Sequence, residues 1–212
     1  MTPFDLAVYL KRRKRGSGKV RGHKRLFGRS IEERPSDVAP GGPFGHWEVD
    51  TVVVRRAGGG AAVLTLVEKR TRSLMVLPLA AKRREAVRGA FSSLHEEYGS
   101  RFGEVFASVT SDNGTEFAGL CELGYWGTRV YFAHPYSSWE RGQNERHNGM
   151  LRRFLPKGAA LGSFTADELN RLPRRRLDYR TPDELFEGEL DNVYKIQNAI
   201  LLPAGCSACN CN

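Results

Sequence analysis

His46-Trp-Glu-Val-Asp-Thr-Val-Val-Val54 is a β-branched run with a carboxylate, Asp50, at its centre. Val and Thr favour pleated backbone, and successive side chains on a strand point to opposite faces, so the run reads as a sheet strand. An isolated carboxylate there is costly unless it is paired or bound to a cation. Glu48, two residues earlier, shares the face of Asp50 and competes for the same role. A second apolar run, Val105-Phe-Ala-Ser-Val-Thr-Ser-Asp112, predicts a strand over 105–111 that delivers Asp112 at its carboxyl end, where open α/β sheets bind ligands. The turn signal Asn113-Gly114 follows at once. A third carboxylate, Glu145, lies in Gln143-Asn-Glu-Arg-His-Asn-Gly149 at the start of an amphipathic stretch. Helical spacing there sets Glu145 and Arg152 along one edge and turns Leu151 and Leu155 to the core.

Outward from these runs, Arg55-Arg-Ala-Gly-Gly-Gly60 turns the chain into two more strands, 62–67 and 74–79, separated by the polar segment Lys69–Ser73. Residues 83–98 switch to helical period, with Val87, Phe91, Leu94 and Tyr98 on one face and Gly99 as the stop. A short helical piece over 115–123, with Glu116 as a charge favoured at its N-terminus, leads to a strand over 129–133 that His134-Pro135 breaks. A helix then begins near Arg141. Thr165-Ala-Asp-Glu168 is a capping-box pattern for one more helix, which Pro173 stops early. The order β-β-β-α-β-α-β-α predicts an α/β fold, a mixed sheet flanked by helices.

The net charge of +9 is concentrated. Residues 11–34 hold eleven Lys or Arg against Glu32 and Glu33, while the remaining 22 basic and 22 acidic residues balance. Lys11, Arg12, Arg13, Lys14, Arg15, Lys19, Arg21, Lys24 and Arg25 form the dense part of this run, an electrostatic footprint for a phosphate backbone. The competing reading is a solvated tail. No apolar run approaches membrane-span length and the first residues carry no basic leader, so a cytoplasmic protein without a membrane partner is expected. Cys121 sits in an apolar stretch and reads as a small core residue. Cys206, Cys209 and Cys211 cluster near the end without the fourth ligand that a closed zinc site needs. The chain therefore divides into a basic arm (1–34), a linker (35–44), a core (45–187) and an atypical C-terminal tail (188–212).

Several segments carry a family resemblance. They are Gly45-His-Trp-Glu-Val-Asp50, Thr65-Leu-Val-Glu-Lys-Arg-Thr-Arg72, Ser111-Asp-Asn-Gly-Thr-Glu-Phe117, His134-Pro-Tyr-Ser-Ser-Trp-Glu-Arg-Gly142, the run 143–158 and Asp178-Tyr-Arg-Thr-Pro-Asp-Glu-Leu-Phe186. In matching order, from residue 30 to 187, they resemble the insertion-sequence transposases with a DDE integrase core, specifically the insertion-sequence-thirty branch. The resemblance implies an RNase H-like fold in which Asp50, Asp112 and Glu145 are both the catalytic residues and the metal ligands. They would hold two magnesium or manganese ions, about 4 Å apart in two-metal phosphoryl transfer. It also implies DNA strand cleavage and strand transfer during transposition, with double-stranded DNA as partner, a nucleoid-associated location, and more than one protomer to join two element ends. Arg152, Arg153 and Lys157 join the basic arm as expected backbone contacts.

The chain departs from that pattern in two places. The helix after Thr165 is longer in the resembling family, and the family's helix-turn-helix modules have no room before Lys11, so an N-terminally truncated chain is expected. Two rival readings stay open: an impaired remnant that only binds DNA, and an RNase H-like structure-specific nuclease.

Overall fold

The computed structural model describes residues 27–39, 41–53, 62–135, 137, 140, 142–154 and 166–200; the side chains of 142, 143, 145, 154 and 196–200 fall outside that description. The basic run from Lys11 to Arg25, Trp139, Leu155, Lys157, Thr165 and the three C-terminal cysteines also lie outside the described residues. In chain order the elements are β1 (Arg29–Ser30), β2 (His46–Val53), β3 (Ala62–Glu68), β4 (Leu74–Leu79), α1 (Arg84–Tyr98), α2 (Phe102–Val105), β5 (Ser108–Ser111), β6 (Arg129–Phe132), α3 (Gly142–Phe154), α4 (Asp167–Asn170) and α5 (Pro182–Ile200). Among the described residues the strands form one mixed sheet, ordered β1-β6-β5-β2-β3-β4. β2, β3 and β4 are an antiparallel meander, whereas β5 runs parallel to both β2 and β6.

Alternation along the strands divides the sheet into two unlike faces. Trp47 and Val49 of β2, Leu64 and Leu66 of β3, Val109 of β5 and Phe132 of β6 point to one face and join Val87, Phe91 and Leu94 of α1 in a single buried cluster. Aromatic rings stack within it: Trp47 on Phe106 at 4.9 Å and Phe102 on Phe106 at 4.7 Å between centroids. The opposite face carries a smaller cluster of Val52, Val63, Val67 and Leu74 under Leu151 of α3 and Leu169 of α4.

Several sequence expectations need correction. The strand expected over 105–111 is confined to Ser108–Ser111, because Phe102, Val105 and Phe106 have the i, i+3, i+4 spacing of a helical turn and bury that face instead. Gly45 (φ +89°) enters β2 so close to this turn that a Cβ would sit 2.6 Å from the Glu104 carbonyl oxygen. Within the stretch assigned to the arm, Arg29 and Ser30 pair with Tyr131 and Phe132 as an edge strand. The 35–44 linker contains buried Val38, and the boundary at 187/188 falls inside α5. α5 docks on the larger core through Phe186, whose ring meets Trp47 edge-on at 5.7 Å. Its start carries a reciprocal capping box, the Thr181 N–H donating to Glu184 at 3.0 Å and the Glu184 N–H to Thr181 Oγ1 at 3.2 Å. At α4 the N-cap is Ala166 with no side-chain cap; the box read at Thr165–Glu168 rests on Thr165, which lies outside the described residues. The segment over 115–123 consists of two 3₁₀ pieces, Thr115–Phe117 and Leu120–Trp126. Cys121 is exposed rather than buried.

Candidate active site

The parallel pairing of β2 with β5 sets the geometry. His46, Trp47 and Glu48 face Ser108, Val109 and Thr110, and the same offset carried two residues further brings Asp112 level with Asp50. Both carboxylates are partly exposed, Asp50 within β2 and Asp112 just past the carboxyl end of β5. The Asp112 Oδ1 accepts the Gly114 N–H at 2.9 Å, closing the Asp-Asn-Gly turn. A Cβ at Gly114 would lie 2.7 Å from Glu116 Oε2 and 2.9 Å from Asp112 Oδ1, so a larger residue would displace those carboxylate ends. Asp50 Oδ1 accepts the Thr51 N–H at 2.8 Å.

α3 lies along β2 and runs in the same direction. The Asn144 N–H donates to Glu48 Oε2 at 3.2 Å, Asn148 Nδ2 to Asp50 Oδ2 at 2.9 Å, and Arg152 to the Val53 carbonyl at 2.8 Å. The Thr65 hydroxyl lies 3.2 Å from both Asn148 Oδ1 and the Asp50 carbonyl, and donates its one proton to either. Leu151 is fully buried below these bonds, as its spacing predicts. The backbone of Glu145 sits between Asn144 and Asn148, and helical geometry places it on the flank shared with Asn148 and Arg152. Its side chain is outside the described residues. Among the described residues no three His, Cys, Asp or Glu side chains group closely enough to hold a metal ion.

The neighbouring acids are already engaged. Glu48, the competitor of Asp50, is buried against Lys69 at 3.0 Å. Burial pushes the Lys69 ammonium down from its ordinary value while the Glu48 charge opposes that shift. Glu68 accepts from the Gly45, Arg70 and Thr71 N–H groups and the Thr71 hydroxyl; burial nevertheless pushes its carboxyl up. Glu116 stands in the first turn of a 3₁₀ helix, as expected of a helix N-terminal charge, but it is buried, and its Oε1 accepts from Thr51 Oγ1 and Lys82 Nζ, both at 2.9 Å. Burial raises this carboxyl, but the Lys82 and Thr51 hydrogen bonds outweigh it and hold the group below the usual range.

The other singled-out residues divide. Arg153 is exposed at the end of α3, whereas Arg152 is partly buried and spends one nitrogen on the Val53 carbonyl. His134 follows β6 as expected and is clamped by Glu140, whose Oε1 lies 2.9 Å from Nδ1 and whose Oε2 accepts the His134 N–H at 2.9 Å. The buried His147 is a scaffold contact, its Nε2 lying 2.7 Å from Arg174 NH1 and 3.2 Å from the Arg72 carbonyl. An arginine always donates, so in the Arg174 contact Nε2 is the acceptor. Sequence reasoning placed Asn148 on α3 but did not assign it to the site; its position three residues after Glu145 on one helix flank was the available signal.

No protein-family model matches the chain. Among curated proteins it is similar to the probable transposase for insertion-like sequence element IS1161 from Streptococcus salivarius, 40% identical over 171 residues that make up 77% of this chain and 48% of that protein. It is also similar to the transposase InsI for insertion sequence element IS30C from Escherichia coli (strain K12), 34% identical over 168 residues, 76% of this chain and 42% of that one. The chain thus spans about half the length of the curated relatives it matches. The crystal structure of the catalytic core domain of BIV integrase superposes with a TM-score of 0.50 at 18% identity, covering 72% of this chain and 99% of that one. This likeness concerns the fold, and it makes the mixed sheet RNase H-like, as the resemblance in sequence implied. The chain belongs to the family of insertion-sequence transposases that includes those of IS30, and its sheet has the fold of an integrase catalytic core.

Proposed function

We propose that residues 45–187 are the catalytic core of a transposase that cleaves DNA strands and transfers them to a target, using a divalent-metal site held by Asp50, Asp112 and Glu145. The observation that supports this reading is the parallel register of β2 with β5, whose offset, extended two residues past Thr110, sets Asp112 level with Asp50, with α3 fixed across β2 by the Asn148–Asp50 bond. The residues fit magnesium or manganese, because carboxylate oxygens are hard ligands and both groups are partly open to solvent. Two such ions, when bound, lower the pKa of an attacking water and neutralise charge at the transferring phosphate. The protein's own groups hold the carboxylates in place: the Thr51 N–H and Asn148 amide at Asp50, and the Gly114 N–H at Asp112.

Double-stranded DNA is the proposed substrate, met by the basic run Lys11–Arg25, by Arg153 at the end of α3 and by Lys157. A DNA substrate would place the protein at the nucleoid, and joining two ends would need more than one protomer. Asp50→Asn, Asp112→Asn and Glu145→Gln should each abolish magnesium- or manganese-dependent nicking of a DNA plasmid while the domain stays folded. Full nicking by any one folded variant removes that residue from the ligand set. The four-residue α4 and the exposed Leu172 favour one second reading, a remnant that binds DNA without joining it. Strand transfer by the purified chain would dismiss it.

A further inference from the structure

Arg72 and Arg174 meet at His147 of α3; Arg146 precedes His147 on that helix, and Arg176 follows Arg174 by two residues. Arg174 reaches His147 Nε2 at 2.7 Å and the Leu169 carbonyl at 3.2 Å, so one edge of its guanidinium is fixed by the protein. The Arg72 carbonyl lies 3.2 Å from the same ring nitrogen, and Arg72 takes a left-handed backbone conformation, φ +64°, that residues other than glycine rarely adopt. Both side chains are partly buried, and Arg146 and Arg176 are exposed beside them. Burial pushes Arg72 down, and repulsion from Arg176 and Arg146 adds to the shift; burial and then Arg72 do the same to Arg174.

Among the described residues none of the four forms an ion pair. The acids whose charge reaches Arg72 are committed elsewhere, Glu48 to Lys69 and Glu68 to the turn that precedes Arg72. Like charges gathered without a counter-charge work against folding, and burial raises that cost. Strained backbone and uncompensated charge concentrate at functional sites. Arginine is the cation best shaped to grip phosphate, since its planar fork donates two parallel hydrogen bonds.

We infer that this arginine cluster is a phosphodiester-binding site, which holds a stretch of DNA backbone beside the carboxylate site rather than in it. The inference rests on the proposed function for its choice of DNA as the polyanion. It adds a second track at His147 of α3, with Arg72 and Arg174 as a fixed floor and Arg146 and Arg176 as the exposed grips.

The test is a binding titration of the full chain against a mixed-sequence DNA duplex in chelator, so that nothing read depends on metal or on nicking. Arg146→Gln/Arg176→Gln should lower the slope of log affinity against log salt by about two, one for each phosphate no longer neutralised. Without DNA, the same variant should melt no lower than the parent chain, since a like-charge cluster has been relieved. Arg84→Gln/Arg88→Gln on α1, whose charges pair with Glu122, should leave the slope unchanged. An unchanged slope in folded Arg146→Gln/Arg176→Gln overturns the inference, as does an equal fall in the α1 variant. An Asp50→Asn chain keeps the two readings apart: if it still shows the slope difference without nicking, the arginine track stands on its own. If the parent nicks but the slope never moves, the carboxylate site stands and the track does not.

Discussion

On the α1 face, strands β2, β3, β5 and β6 bury Trp47, Val49, Leu64, Leu66, Val109 and Phe132 beneath a helix and a stack of aromatic rings. On the α3 face the same strands present Glu48, Asp50, Thr65 and Thr110, with a small aliphatic patch only toward β4. Among the described residues the first cluster holds nineteen buried hydrophobic side chains and the second six, so most of the apolar driving force lies on one side. This difference shows how an acidic site can sit at a sheet centre: the α1 face supplies stability, and the α3 face is left to carry charge, fixed by hydrogen bonds more than by packing.

Changes on the two faces should therefore differ in size and kind. Trp47→Ala should be the most damaging, about 4 kcal/mol, because it opens a cavity in the aromatic stack and orphans the Val105 carbonyl that the indole N–H meets at 2.7 Å. Chemical denaturation measures it, and a loss below about 1 kcal/mol would undo the claim that the α1 face holds the fold. Lys69→Met should cost about 3 kcal/mol by leaving Glu48 buried without its partner, and adding Glu48→Gln should recover most of the loss. A double-mutant cycle by the same denaturation reads that recovery. Leu151→Ala should cost about 2 kcal/mol, toward the lower end for a buried leucine, because its cluster is small and partly open. A loss equal to that of Trp47→Ala would erase the asymmetry.

The smallest effect is in pH. The Glu140 hydrogen bond, helped by the Glu140 and Glu32 charges, raises the His134 imidazole above its ordinary 6.5. Its contribution is thus fully present below pH 6.5 and is lost as pH rises through the folded value. Burial lowers His46, so the unfolded chain binds that proton more readily and stability falls as pH drops below 6.5. Melting temperature against pH should lose its alkaline slope in Glu140→Gln and its acid slope in His46→Gln, each without the other.

How far these features were legible depends on how local their causes are. β2, β3, β4 and α1 announce themselves because alternation and helical period are short-range patterns, and each coincides with burial. Residues 105–107 misled because a short apolar run serves a strand or a helical turn equally, and contact with Trp47 and Tyr98 decides between them. β1 escaped notice because two residues rich in polar atoms have no pattern of their own and exist only by pairing with β6. Asp50 and Asp112 stood out as carboxylates at strand positions. The engagement of Glu48 by Lys69 and of Glu116 by Lys82 depends on residues more than twenty positions away and left no local mark.

β1 also fixes a tether. The Phe27 N–H donates to Asn113 Oδ1 at 3.2 Å, and two residues later the chain is paired in the sheet. Residues 1–26, with their dense run of lysine and arginine, are thus leashed to the loop that carries Asp112. On the proposed function, a DNA strand held by those residues would no longer search bulk solution for the carboxylates. It would meet them at a local rather than a bulk concentration. Even a weak, sequence-blind grip at the amino end would then become repeated delivery to one side of one sheet.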